Sequence, residues 1–177
     1  MSTVRRLRYS VAMSLDGYIA DVNGGYDWIV GDPAIDFGAF LSKIDTLLMG
    51  RGTYEVTQAT PEGGTIFEGM GVYVVSTTLD PAAHPGVTVI SANVEDRVAE
   101  LKARDGKDIW LFGGGVLFRA LLEAGLVDRV EVGVVPVLLG EGIPLLPGLN
   151  RIAELELHDT EAFRSGMVLL KYDVKPV

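Results

Sequence analysis

Three glycines stand in a row at residues 113–115, between the apolar run IWLF and the pattern VLFRALLEAG. Glycine weakens strands and helices alike, so three together cost backbone entropy that something must require. A tight turn accounts for one or two of them. The other common reason is a ligand approaching main-chain N–H groups at a helix N-terminus, where the backbone dipole favours an anion. Two further clusters also follow apolar runs. LLMG leads into Arg51, Gly52, Thr53 and Tyr54, and VYVV leads into Ser76, Thr77 and Thr78. A guanidinium, several hydroxyls and bare N–H groups suit a ligand with phosphates and ribose, such as a dinucleotide. The spacing is neither a Rossmann fingerprint nor a Walker motif. Taken singly, each piece has a plain structural reading as a surface arginine, a helix cap or a turn.

The elements around these clusters explain how they could meet. Residues 7–13 read as a first strand, followed by the glycine-dotted loop SLDGYIADVNGGYDW, whose length in a compact domain points to function or motion. Asp32-Pro33 has the pattern of an N-cap and first helical residue, with Phe37, Phe40, Leu41 and Ile44 as the apolar stripe of that helix. TLLMG, VYVVS, VTVIS and IWLF are short apolar strands, and VEDRVAELKAR is an amphipathic helix between the last two. Strands alternating with helices imply a mainly parallel sheet covered on both sides. Ligands of such sheets lie beyond the carboxyl ends of the strands, so the three clusters should share one edge. The C-terminal third, with VDRVEVGVVPVLLG, IAELELHDTEAF and GMVLLKYDV, reads as antiparallel additions at one side of the sheet.

Composition narrows the function classes. The 177 residues carry a net charge of −9, which argues against a nucleic-acid or anionic-membrane surface but not against an anion held in a local pocket. There is no cysteine, and the two histidines, His84 and His158, have no ligand-spaced partner, so no metal site is expected. Both histidines read as surface residues. No run approaches transmembrane length and the N-terminus is not a secretory signal, so the cytoplasm is the expected compartment.

The succession AMSLDGYIA, DTLLMGRGTYE, VYVVST and WLFGGGVLFRALLEAGLVDRVEVGVVPVLLGEGIPL resembles the dihydrofolate-reductase-like superfamily. Within it, the chain looks most like the reductase domain of the bifunctional riboflavin-biosynthesis deaminase/reductase and its single-domain bacterial relatives. The resemblance covers nearly the whole chain. It implies one α/β domain over residues 1–177: a central, mostly parallel sheet of about eight strands, helices on both faces and an antiparallel C-terminal strand. It also implies NADPH bound across the strand ends and a homodimer. Carried over position by position, Gly50, Arg51 and Thr53 look like phosphate contacts, including the adenosine 2′-phosphate. Ser76 and Thr77 look like the adenosine pocket, and Gly113, Gly114, Gly115 and Val116 like the pyrophosphate turn. Ala12 and Ile19 look like contacts beside the nicotinamide, and residues 14–28 resemble a mobile lid over that ring.

The resemblance departs at the substrate. Gly133 stands where dihydrofolate reductases place a threonine that helps an acidic residue of the first helix to anchor the pterin, and Asp36 has a different spacing to MGR. The first helix has no arginine to hold a ribosyl phosphate, and these residues contain no deaminase domain or zinc motif. With hydride coming from the cofactor, a proton donor is still needed for most C=N or C=O reductions. Asp27, Asp32 and Asp36, or a water that one of them positions, are the candidates. Asp32 also reads as a cap, Asp36 as a complement to the helix dipole, and Trp28 as either a stacking lid residue or a core aromatic. The expectation is an NADPH-dependent reductase of a small pteridine- or pyrimidine-like substrate. The alternatives are a non-catalytic nucleotide-binding module and a diaminopyrimidine-ribosylamine phosphate reductase.

Overall fold

The computed structural model describes residues 4–60 and 67–176. In chain order it contains β1 (Leu7–Ser14), β2 (Tyr18–Ala20), α1 (Phe37–Leu41), β3 (Ile44–Gly50), α2 (Arg51–Ala59), β4 (Gly71–Val75), β5 (Thr88–Ile90), α3 (Val94–Ala103), β6 (Asp108–Gly113), α4 (Gly115–Glu123), β7 (Arg129–Val135), β8 (Ile143–Pro144), β9 (Leu155–Ala162) and β10 (Val168–Val174). Eight strands form one sheet in the order β5-β4-β3-β6-β1-β7-β10-β9, and β2 pairs with β8 in a separate two-stranded ribbon. The pairs from β5 across to β7 are parallel, while β10 runs antiparallel to both β7 and β9. The expected mixed α/β architecture, with a mostly parallel eight-stranded sheet, is therefore present.

Both faces are covered, which is why the central strands are apolar without alternation. On one face α3 and α4 bring Val98, Leu101, Leu117, Phe118, Leu121 and Leu122 onto Leu7, Tyr9, Ile109, Leu111, Val130 and Val132. On the other, Tyr54 of α2 and Phe40 and Leu41 of α1 pack against Ile44, Leu47, Met49, Val74 and Trp110. α3 carries Glu95 and Asp96 in its first turn and Lys102 in its last, each sign placed to complement the helix dipole.

Several expectations are corrected. The first helix does not begin at Asp32-Pro33: it spans only Phe37–Leu41 with Asp36 as its N-cap, whose Oδ1 accepts from Ala39 N–H at 2.8 Å. Asp32 instead caps a preceding turn through Ala34 N–H. Ile44 belongs to β3 rather than to the helical stripe, because the chain turns directly from the short helix into the sheet. The glycine-dotted loop contains β2, whose partner β8 is far away in sequence. β7 is parallel to β1 and so is not one of the antiparallel additions. Its apolar character on both faces comes from lying inside the sheet, between β1 and β10. His84 is half-buried rather than a surface residue, with Nδ1 3.0 Å from Tyr54 Oη; His158 is exposed as expected, within β9 and 3.4 Å from Asp173.

Candidate functional site

β3, β4, β6, β1 and β7 run in one direction, so Gly50, Val75, Gly113, Ser14 and Val135 end at the same edge. The ends of β3 and β6 touch there: Met49 pairs with Gly113, and a Cβ on Gly50 would lie 4.0 Å from Gly113 O and Gly114 N. Thr53, in the first turn of α2, leans over the same turn. A Cβ on Gly113 would meet its Oγ1 at 3.0 Å, and one on Gly114 would lie at 3.7 Å. The peptide between Gly113 and Gly114 is cis.

The three glycines have three different reasons. Gly113 has φ +153° and no room beside Thr53. Gly115 is buried, and a Cβ there would lie 2.8 Å from Pro147 Cδ and 3.0 Å from the carbonyl oxygens of Pro144 and Leu145. Packing of the 144–147 segment therefore accounts for Gly115 without a ligand. Gly114 has an ordinary extended φ of −101°, and its nearest neighbour would be at normal contact distance. Nothing among the described residues requires glycine at this position. Gly114 is also the N-cap of α4 and offers no side-chain oxygen, so the first-turn N–H groups receive no cap from it. Val116, in that first turn, is 65% exposed.

Arg51 begins α2 at the same edge. Its Nε donates to Glu55 Oε1 at 2.6 Å, and an Nη1 hydrogen bond reaches Thr78 Oγ1, so the guanidinium links the β3 end to the β4 end. Ser76 is buried, and its Oγ accepts from Thr78 N–H and Leu79 N–H at 3.2 and 3.0 Å, which makes it the keeper of the turn; Thr77 beside it is exposed. Ala12 lies on β1 opposite Gly133 of β7, and Ile19 lies on β2.

A profile of the RibD C-terminal domain family matches residues 5–169. The chain belongs to that family. The uncharacterized protein YyaP of Bacillus subtilis strain 168 is 34% identical over 178 residues, covering 95% of this chain and 94% of YyaP. Among solved structures, the Thermotoga maritima diaminohydroxyphosphoribosylaminopyrimidine deaminase/5-amino-6-(5-phosphoribosylamino)uracil reductase superposes with a TM-score of 0.70 at 19% identity, over 97% of this chain and 57% of that one. Enterococcus faecalis dihydrofolate reductase, complexed with NADP(H), superposes with a TM-score of 0.69 at 19% identity, over 96% of both chains. The dihydrofolate-reductase-like fold is thus shared, with the RibD C-terminal domain as the immediate family.

Two loops of this RibD-family chain frame the β1 end of the edge. Asp16, just past β1, accepts from Ser14 Oγ at 2.6 Å and from Gly140 N–H at 2.7 Å, with Leu139 N–H at 3.1 Å. The Ser14 hydroxyl and these N–H groups hold its carboxyl down to about 2. Tyr18 N–H donates to Ser14 Oγ, and Leu145 N–H donates to Gly17 O, so the β1–β2 and β7–β8 loops form one clasped unit. On the other side, the Ser165 hydroxyl, Ala34 N–H and Ser165 N–H, the last at 3.1 Å, donate to Asp32 and keep its carboxyl below the usual range. The Ser165 contact ties the segment between the candidate lid and α1 to the β9–β10 turn. Asp27 is exposed, and half-buried Trp28 donates Nε1–H to Gly25 O at 3.3 Å.

The edge therefore brings together Gly50, Arg51, Thr53, Gly113, Gly114, Gly115 and Val116, with Ser76 and Thr77 one strand away. Ala12 lies on the neighbouring strand and Ile19 on the clasped ribbon. Asp16 past β1 and Phe112 before Gly113 also lie at this edge, Phe37 packs on Trp110, and Met167 lies over Gly133, and sequence reasoning assigns none of them to the site. The turn signal in SLDG could point to Asp16. The two phenylalanines read as ordinary core, and nothing in the sequence places Met167 over Gly133.

Proposed function

We propose that the chain is an NADPH-dependent reductase that transfers hydride to a small pteridine- or pyrimidine-like heterocycle. Gly114 carries this reading: it is the one glycine of the triplet without an internal reason, at an N-terminus whose N–H groups are aimed beyond the sheet edge. A cradle that a Cβ would fill fits a pyrophosphate. When bound, the cofactor would supply the hydride. Gly113, Gly114 and Val116 would hold its pyrophosphate through backbone N–H groups, with Thr53 and Gly50 shaping the turn. Arg51 would swing from its exposed pair with Glu55 to the 2′-phosphate, a move that costs little because such surface pairs are weak. Ser76 and Thr77 would border the adenosine. Ala12 and Ile19 would flank the nicotinamide, with the Asp16 clasp holding Ile19 in place.

On the substrate side, Asp36 and Asp27 are the groups that would position a water to deliver the proton, and Trp28 would cover the ring. Asp36 serves as the cap of α1 through Oδ1, which fixes its carboxylate at the helix start rather than removing it from this role. We further infer a cytoplasmic homodimer. The exposed edge strand β9, with Leu155 and Leu157 in solvent, is the surface that would gain from a partner.

Thermal shifts with NADPH and NADH, followed by NADPH absorbance with a panel of pterins, pyrimidines and quinones, test the reading. Stabilisation by NADPH with oxidation by at least one ring system supports it. Binding without oxidation would favour the non-catalytic module, and absence of binding would remove the cofactor assignment.

A further inference from the structure

A cleft lies on the β3–β4 flank of the sheet, between α2 and the chain that crosses from β4 to β5. Its volume is about 400 Å³, large enough for a small molecule. Met49 of β3 and Val72 of β4 come from the sheet, Phe67 and Met70 from the approach to β4, and Val87 from the approach to β5. None of the residues assigned above to the cofactor lines it, so the cleft stands apart from the reductase reading.

The lining is apolar and adaptable. Two thioethers, Met49 and Met70, can follow the outline of a ring and make favourable sulfur–aromatic contacts with it. Phe67 is braced edge-on by Phe112 at 5.3 Å between centroids. No lysine, arginine, aspartate or glutamate lines the cleft among the described residues. A carboxylate or phosphate would lose its water there against mostly apolar walls.

The polar groups are few. Thr57 spends its hydroxyl on Tyr54 O at 2.7 Å, and Gln58 is exposed. Tyr54 and His84 meet edge-on at 5.3 Å, with Tyr54 Oη 3.0 Å from His84 Nδ1. A tyrosine hydroxyl and a neutral imidazole carry two protons between them, and this contact uses one. If Tyr54 donates, the imidazole proton sits on Nε2. If Nδ1–H donates, the tyrosine proton is free. Either tautomer leaves one donor without an acceptor among the described residues, and protonation of the ring only adds another.

We propose that this cleft binds a small neutral aromatic molecule whose hydrogen-bond acceptor takes the spare proton of the Tyr54–His84 pair. The ring lies among the methionines and Phe67, and the acceptor fixes its orientation.

Titration with acetophenone, in the absence of nucleotide and with ¹³C at the methionine methyls, tests the proposal. Met49 and Met70 line the cleft, whereas Met13 of β1 and Met167 over Gly133 lie elsewhere and serve as controls. Acetophenone gives saturable shifts at Met49 and Met70 and leaves the controls unmoved. Benzoate, of similar shape but charged, binds about tenfold or more weakly. Tyr54→Phe/His84→Phe removes both protons and weakens acetophenone by about three- to tenfold, while ethylbenzene, which has no acceptor, is held as before. Ala83→Trp, at an exposed position of the lining, fills the cleft and abolishes the shifts. Four results each overturn the proposal: no saturable shift at Met49 and Met70, equal shifts at the control methyls, benzoate binding as tight as acetophenone, or acetophenone binding unchanged in Ala83→Trp. A double variant that holds acetophenone as tightly as wild type does so too. Should that variant not fold, the benzoate comparison and Ala83→Trp decide.

Discussion

Replacing Gly114 by alanine separates a cofactor cradle from a structural turn. In the apo protein the new Cβ meets only Thr53 Oγ1 at 3.7 Å, which is ordinary contact, and φ is −101°. Alanine is a poorer N-cap than glycine, but it also reduces the freedom of the unfolded chain by about 0.4–1 kcal/mol. These two effects oppose each other, so the apo melting temperature stays within a few degrees of wild type. A pyrophosphate resting on the backbone would be displaced by the methyl group. The expected loss is about tenfold or more in NADPH affinity, or about 1.4 kcal/mol. Gly115→Ala is the control. Its Cβ would lie 2.8 Å from Pro147 Cδ and 3.0 Å from two carbonyl oxygens. Overpacking of that kind costs about 1–3 kcal/mol, and a domain of this size loses roughly 2–4 °C per kcal/mol. Calorimetry gives the affinities, and thermal melts with and without NADPH give the linked stabilisation. If Gly114→Ala binds NADPH within twofold of wild type, the triplet is not the pyrophosphate cradle.

Arg51→Ala weakens NADPH binding about ten- to a hundredfold and leaves NADH nearly unchanged, as a charge-assisted contact of roughly 1.5–3 kcal/mol predicts; equal losses by calorimetry refute the 2′-phosphate role. The Asp16 clasp gives a pH signature. Its carboxyl is held at about 2, below its ordinary 3.8, so the stabilisation is present above pH 3.8 and is lost as pH falls towards 2. Melting temperatures of wild type and Asp16→Asn therefore differ near neutrality and converge near pH 2, and a gap that persists at the acid end refutes the clasp. Light scattering at micromolar concentration reports a dimer mass, and Leu157→Lys on β9 shifts it towards the monomer; a monomer mass for wild type removes the dimer.

The strands and the shared edge are legible in the sequence because short apolar runs ending in Gly, Arg or Ser carry both signals locally. The direction of β7 is not, because VEVGVV looks the same whether it joins the sheet parallel or antiparallel. Direction is set by the long α4 crossover, not by the strand's own residues. The cap of the first helix is ambiguous because Asp32-Pro33 and Asp36 both fit an N-terminus, and tertiary contact with Ser165 captures the former. The division of labour among the three glycines depends on Pro147 and Thr53 arriving from other elements, so no local pattern reveals it. The aromatic cluster is equally invisible: Phe37 and Phe40 of α1 meet Trp110 of β6, and no short stretch announces their meeting.

The strand order has a consequence for how the protein is made. β6 lies between β3 and β1, and it is the last piece needed to join β3–β5 to the N-terminal strand. β1 pairs only with β6 and β7, so as synthesis proceeds it waits without a sheet partner while three later strands are already complete. Such non-local pairing slows folding and leaves an apolar strand in need of shelter on the ribosome. The glycine turn sits at the end of that same keystone strand. A half-made or misassembled chain therefore lacks the glycine turn proposed as the cofactor cradle, which takes shape only once the two halves of the sheet have been sewn together.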